Sequence, residues 1–369
     1  MEWSEKTKYN SFNSYKGLTY YENYKQIVKW MDGDDYLPPP VEVNLDPFAG
    51  CNLNCYFCIV QRYLKHHREE LSMTKLPTEY LHRLVSFLGE WGVRGLCISG
   101  GGEPLLYRPV WTLPGFAAGR CGMDVSLFTN GTVMNDYIGQ SLLSCKWVAI
   151  SIDASNKEEY KQIKGEDFFD LVMKNAQRLT WLREAMDATT NICFKFLVLP
   201  ENQTSIYEAC KLAKESGFQD FHARPVDFER NDIEGHKKLD IDVDRVNEQF
   251  EKCHELEDDN FHVYTVTHKF NKDFHIKHDF TKCLASPILL PILTDGNAYL
   301  CVDKKMEKDF KIGSCYPNPE SILEWWGGDA HRELVKSVDI NKCSRCTWSQ
   351  YNRQIEEAVI EDRMDLSFP

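Results

Sequence analysis

Val41-Glu42-Val43-Asn44-Leu45-Asp46-Pro47-Phe48-Ala49-Gly50-Cys51-Asn52-Leu53-Asn54-Cys55-Tyr56-Phe57-Cys58 is the stretch that decides the fold of this chain. Val41 to Leu45 alternate as a β-strand does. The loop that follows carries Cys51, Cys55 and Cys58 in the spacing C-x3-C-x2-C. Three thiolates this close suit a soft metal or an iron–sulfur cluster. A cube of four irons held by three protein ligands keeps one iron open for a substrate or cofactor. The alternatives are a zinc site or three unrelated core cysteines. Zinc sites usually take four ligands and come as C-x2-C pairs; the nearest further donors here are His66 and His67.

Downstream, strands and helices alternate. Thr78 to Gly89 carries Leu81, Leu84, Val85 and Leu88 at helical spacing. Leu96–Ile98, Asp124–Phe128, Trp147–Ile152, Asn191–Leu199 and Phe218–Val226 are expected strands. Helix faces are expected around Leu171–Leu182 and Ser205–Glu215. Such alternation implies βαβ units and a parallel sheet. The expected fold is α/β, a partial (β/α)6 TIM-like barrel over 41–226, where function sits on loops at the C-terminal ends of the strands. The triplet, Gly101-Gly102-Glu103-Pro104, Asn130, Asp153 and Arg224 all fall at such ends. Residues 1–40 are expected to form an N-terminal cap over the barrel mouth. Residues 227–282 are a connector with a helix and a strand, and 283–369 a C-terminal domain with a second cysteine set.

The chain has 369 residues and a formal net charge of −13, which argues against a nucleic-acid or anionic-membrane binder. No apolar run is long enough to span a bilayer, and the first residues lack a secretory pattern. Fourteen cysteines then fit a reducing cytoplasm, where thiols more often bind metal than pair. Cys97, Cys121, Cys145, Cys193, Cys210, Cys253 and Cys315 lie outside the two spaced sets; most read as core residues, and Cys315 is open as a spare ligand, a hydrogen donor or a bystander.

The triplet and, one strand later, Gly101-Gly102-Glu103-Pro104 together resemble the radical S-adenosylmethionine (radical SAM) superfamily. The resemblance implies a [4Fe–4S] cluster on Cys51, Cys55 and Cys58 that chelates SAM through its open iron. One electron then splits SAM into methionine and a 5'-deoxyadenosyl radical. It implies that Glu103 accepts the SAM ammonium and that glycine lets the backbone approach SAM closely. Ser151-Ile152-Asp153 resembles a SAM-contacting Ser-x-Asp, with a strand-end cap as the equal alternative. Asn130 is expected near the ribose and Phe57 beside the adenine. Where relatives place an arginine for the SAM carboxylate, this chain has Tyr160-Lys161, so Lys161 is the expected substitute. Arg224 is expected to face SAM or substrate as a catalytic-site residue, and His222 to turn away or cap a helix.

Cys283, Gly296, Cys301, Cys343 and Cys346 give C-x12-G-x4-C followed by C-x2-C. Four cysteines so spaced can hold a second [4Fe–4S] cluster, or zinc. The pattern resembles the start of a SPASM extension. Asn352 stands where the next cysteine of that series is expected, so the shorter twitch version is implied, as in radical SAM dehydrogenation of 2-deoxy-scyllo-inosamine. Leu293–Cys301 is expected to be its hairpin, with Asp295-Gly296 at the turn, and 321–337 its helix.

These features predict a radical SAM oxidoreductase. It would take hydrogen from a polar small molecule (sugar, aminocyclitol or nucleoside) and pass an electron to the auxiliary cluster. Epimerisation, which needs a thiol hydrogen donor, and peptide modification are the alternatives; a non-catalytic zinc protein is the third class. The segment ahead of Cys51 is short for a cobalamin-binding or leader-peptide domain, which favours small molecules. A one-electron donor such as flavodoxin or ferredoxin is the expected partner.

Overall fold

A computed structural model describes residues 14–58, 60, 73–226, 240–266, 278–343 and 346–361; His66 and His67 lie outside these. Its strands are β1 (Glu42–Leu45), β2 (Gly95–Ile98), β3 (Asp124–Thr129), β4 (Trp147–Ser151), β5 (Asn191–Val198), β6 (Asp220–Pro225), β7 (His262–Thr265), β8 (Leu289–Ile292), β9 (Asn297–Tyr299) and β10 (Lys311–Ser314). Its helices are α1 (Tyr21–Met31), α2 (Thr78–Trp91), α3 (Leu113–Cys121), α4 (Asp136–Leu142), α5 (Lys157–Lys164), α6 (Phe169–Ala185), α7 (Ile206–Glu215), α8 (Val243–His254), α9 (Ile322–Trp325), α10 (Asp329–Lys336) and α11 (Ser349–Gln354).

The strands make one unclosed sheet in the order β10-β9-β8-β1-β2-β3-β4-β5-β6-β7. β1 to β7 pair in parallel, sequential neighbours throughout, as βαβ connections require. The expected six strands are thus joined by β7, the strand anticipated in the connector, which runs beside β6. On the other edge β8 pairs in parallel with β1. The C-terminal hairpin therefore extends the barrel sheet.

The helices follow from their sequences. α2 buries Leu81, Leu84, Val85 and Leu88 and ends at Gly92, whose φ of 106° suits glycine. α4 and α5 start at Asn135 and Asn156, whose side chains accept from Ile138 N and Glu159 N. One apolar core runs from Val43 and Leu45 through Leu127, Ile150 and Phe194 to Ile322 and Ile355.

Three expectations change. Residues 17–40 do not cover the mouth. Trp30 Nε1 donates to Gly327 O at 2.6 Å, Trp326 Nε1 to Pro38 O at 2.9 Å, and Arg94, just before β2, lies 5.8 Å from the Tyr20 ring. The segment thus packs at the N-terminal ends of β1 and β2 and on the C-terminal region. The C-terminal hairpin gains a third strand, β10, antiparallel to β9. The single helix expected over 321–337 is two, α9 and α10, interrupted at Gly327 (φ 77°).

Candidate active site

The loop after β1 is pinned on three sides. Ala49 N donates to Thr74 O at 2.9 Å, Gly50 O accepts Glu103 N at 2.8 Å, and Asn54 N reaches Lys164 O at 3.0 Å. A Cβ on Gly102 would stand 2.0 Å from Gly50 O, so only glycine lets the two loops meet. Gly101 has ordinary room for a Cβ, so close approach is demanded at Gly102 and not there.

On this frame Cys51 is exposed and Cys55 and Cys58 are half-buried. Leu53 N points at Cys51 Sγ at 3.5 Å, and Asn130 Nδ2 lies 3.9 Å from it. Burial pushes the thiols of Cys51 and Cys55 up, Cys55 to about 11, although the Lys164 ammonium pulls Cys55 down.

The Glu103 carboxylate already has partners within the protein. It is 2 % exposed and accepts Leu105 N (3.0 Å), Thr129 Oγ1 (2.6 Å) and Asn130 N (2.5 Å). It is a strut between the loops after β2 and β3. Burial raises its carboxyl to about 7 against these donors. Pro104 follows it, buried, in a short 3-10 turn. Asn130 bonds to Asn52 Oδ1 (2.9 Å) and Thr132 Oγ1 (2.6 Å), which fixes the loop after β3 to the triplet.

Asp153 adopts φ 58°, a left-handed backbone rare outside glycine. Its Oδ1 accepts Leu197 N at 2.7 Å, its carbonyl accepts Asn202 Nδ2 at 2.8 Å, and its Oδ2 pairs with Lys164. Asp153 thus makes the side-chain and main-chain bonds of a strand-end cap. Ser151 is half-buried at the end of β4, in register with Lys195.

The lysine buried against the triplet loop is Lys164. Lys161 is exposed, whereas Lys164 is 2 % exposed and lies 5.3 Å from the Phe57 ring. Burial opposes its ammonium, but Asp153 and Cys55 hold its pKa above the ordinary value. Tyr160, Ile163 and Lys164 form the buried stripe of α5; that apolar spacing was the available signal. Phe57 packs with Ile163, Leu199 and Val226.

Arg224 is half-buried on β6. His222 does not turn away: it is 3 % exposed, two residues from Arg224 on the same face, and contacts Lys195 of β5. Burial lowers Lys195 to about 8, with Arg224 adding to the effect. Sequence reasoning missed Lys195, which lies within an apolar run.

The second set also converges. Cys283, Cys301, Cys343 and Cys346 line one cavity with Phe280, Phe310 and Asn352. Burial pushes Cys283 to about 11 and Cys301 and Cys343 upward. Asp303 N donates to Cys301 Sγ at 3.3 Å, and the Asp303 carboxylate accepts Thr347 N at 2.8 Å, beside Cys346. Cys315 is buried outside this cavity, its thiol on Gly296 O at 3.1 Å. Among the other spare cysteines, Cys121 alone is not fully buried.

Residues 45–213 match the Radical SAM superfamily. This chain carries a radical SAM domain. A probable GTP 3',8-cyclase of Pyrococcus abyssi is 28 % identical over 151 residues, 40 % of this chain and 46 % of that protein. The chain thus spans about half the length of the curated relatives it matches. Streptococcus suis SuiB bound to precursor peptide SuiA superposes with a TM-score of 0.63 at 17 % identity, over 93 % of this chain and 78 % of SuiB. Native anSMEcpe with bound AdoMet gives 0.57 at 17 % identity, over 86 % and 95 %. The last two likenesses show the fold.

The superfamily implies a [4Fe–4S] cluster and SAM. The radical SAM loop fits such a cluster by its donors: three thiols on a loop fixed at both flanks, with Leu53 N aimed at one sulfur. The Gly50–Gly102 contact adds a backbone surface beside them. Among the described residues no helix is long and apolar enough to cross a membrane.

Proposed function

We propose that this chain is a radical SAM enzyme that oxidises a polar small molecule and uses two [4Fe–4S] clusters. Cys51, Cys55 and Cys58 would hold the cluster that binds SAM, and Cys283, Cys301, Cys343 and Cys346 an auxiliary one in a twitch-type domain over 283–369. With the triplet's cluster and SAM bound, the site would supply one-electron SAM cleavage and hydrogen abstraction from the substrate.

The observation that carries this reading is the cavity lined by all four distal cysteines. Four cysteines around one cavity can fully ligate a [4Fe–4S] cluster, and behind a radical SAM domain that reading is preferred to a zinc site. A polar substrate is supported by Lys195, His222 and Arg224, which stand on one face of neighbouring strands. Lys164 and Asp153 would orient the loops around SAM, and Ser151 and the backbone of Gly101–Gly102 would border it. A cellular one-electron donor of flavodoxin or ferredoxin type would supply the electron, in a cytoplasm that keeps the thiols reduced.

Peptide modification is the second reading, favoured by the fold shared with SuiB, solved with its precursor peptide, and anSMEcpe, solved with a Cp18Cys peptide. The GTP named for the curated relatives keeps nucleotides among the candidate small molecules. Epimerisation is the third.

Anaerobic reconstitution followed by SAM, reductant and candidate substrates tests the proposal. Deuterium transfer from substrate into 5'-deoxyadenosine identifies the substrate carbon. One SAM consumed per product supports oxidation, and a solvent-derived hydrogen in the product supports epimerisation. Zinc with little iron, or no reductive SAM cleavage, would sink the enzyme reading.

A further inference from the structure

Asn352 is 1 % exposed, lies on α11, and lines the four-cysteine cavity. Every polar atom of its side chain is engaged at the cavity wall. Oδ1 accepts Leu284 N and Ala285 N, both at 2.7 Å. These are the two residues after Cys283. Nδ2 lies 3.5 Å from Cys346 Sγ. One turn later Glu356 accepts Thr281 N at 2.8 Å. Residues four apart share a helix face, so this face clamps the segment 281–285 while Asn352 alone among the two reaches a thiol.

The orientation is forced. With both backbone N–H groups bound to the amide oxygen, the nitrogen must face the sulfur. A hydrogen bond to a ligand sulfur stabilises the more negative, reduced form of a cluster and raises its potential.

We propose that Asn352 is a positioning residue whose amide donates to Cys346 Sγ and raises the potential of the auxiliary cluster, making it a better electron acceptor. This rests on the reading that the four distal cysteines hold that cluster.

The test uses the full chain with Cys51, Cys55 and Cys58 changed to alanine, so that one cluster reports. About four irons per chain are expected after reconstitution; none would overturn the cluster reading and this inference with it. With iron present, redox titration followed by EPR compares this parent with Asn352→Asp and Asn352→Ser. Asn352→Asp keeps an oxygen for the Leu284 and Ala285 amides and replaces the amide donor with a charge; Asn352→Ser, whose hydroxyl ends one bond short of the Oδ1 position, removes the amide donor and adds no charge. A more negative midpoint in both is expected. Unchanged midpoints at unchanged iron content would overturn the inference and leave the cluster reading standing. Should neither variant load, the parent labelled with 15N in asparagine side chains decides the matter. A 15N hyperfine coupling to the reduced cluster is expected, and its absence would overturn the inference.

Discussion

Lys305 Nζ lies 2.6 Å from Asp46 Oδ2, with the two side chains 10 % and 1 % exposed. Lys305 belongs to the loop after Cys301, and Asp46 follows β1, five residues before Cys51. Ser99 Oγ donates to Asp46 Oδ1 at 2.8 Å, so the pair joins the distal cysteine loop to the ends of β1 and β2. Breaking a buried pair from one side leaves a charge without its partner and costs about 3–5 kcal/mol. Lys305→Met and Asp46→Asn should each destabilise on that scale in urea, and the double variant by less than their sum. Additive losses would show that the pair does not couple the two segments.

The triplet should account for half of the iron. Full-length protein is expected to take up about eight irons, and the Cys51→Ala, Cys55→Ala, Cys58→Ala variant about four. That variant should lose reductive SAM cleavage entirely. Iron analysis with a SAM-cleavage assay checks both, and full cleavage in the variant would remove the triplet from the site.

Lys164 and Lys161 are distinguishable. Lys161→Ala, at an exposed position, should change stability by less than about 0.5 kcal/mol and leave SAM affinity within twofold. Lys164→Met strips Asp153 of its buried partner and should cost about 3 kcal/mol or more. It should also weaken SAM binding at least tenfold, because the Cys55 and β4 loops lose their shared anchor. Equilibrium dialysis with SAM and denaturant melts read the two effects separately.

Glu103 predicts a pH dependence. Its carboxyl is raised to about 7 in the fold, so the native state holds this proton more tightly than the unfolded chain. The associated stability is present below the unfolded value near 4.5 and is lost as pH rises through about 7. In cluster-free protein, Glu103→Gln should therefore gain on the natural chain between pH 4.5 and 8, by an amount on the order of 2–3 kcal/mol. Thermal melts across that range check the sign; a constant difference between the two proteins would show that the carboxyl titrates normally.

Much of the site was legible because its chemistry is local in the chain. Cys51, Cys55 and Cys58 share one loop, and Gly101–Pro104 follows the next strand, so spacing alone placed both at the same sheet edge. Asp295-Gly296 likewise announced its turn, and Gly296 has φ 74°. What spacing could not disclose was which polar groups the fold uses up. Asp153 read equally well as a SAM contact or a strand-end cap, and Glu103 as a SAM contact; the fold gives Glu103 the Thr129 hydroxyl, and Asp153 the Leu197 amide and Lys164, as partners.

By itself the sequence determined the two cysteine sets, the alternation of strands and helices, and the glycine run that ends in Gly102-Glu103-Pro104. Those properties depend on residue type and on neighbours a few positions away. Tertiary structure alone decided that β8 lies beside β1, that Lys164 and not Lys161 meets Asp153, and that Asn352 reaches Cys346 and the Cys283 loop together. Each of these rests on contacts between segments far apart in the chain, or on a helix rotation set by which side chains the core accepts. No local pattern carries that information.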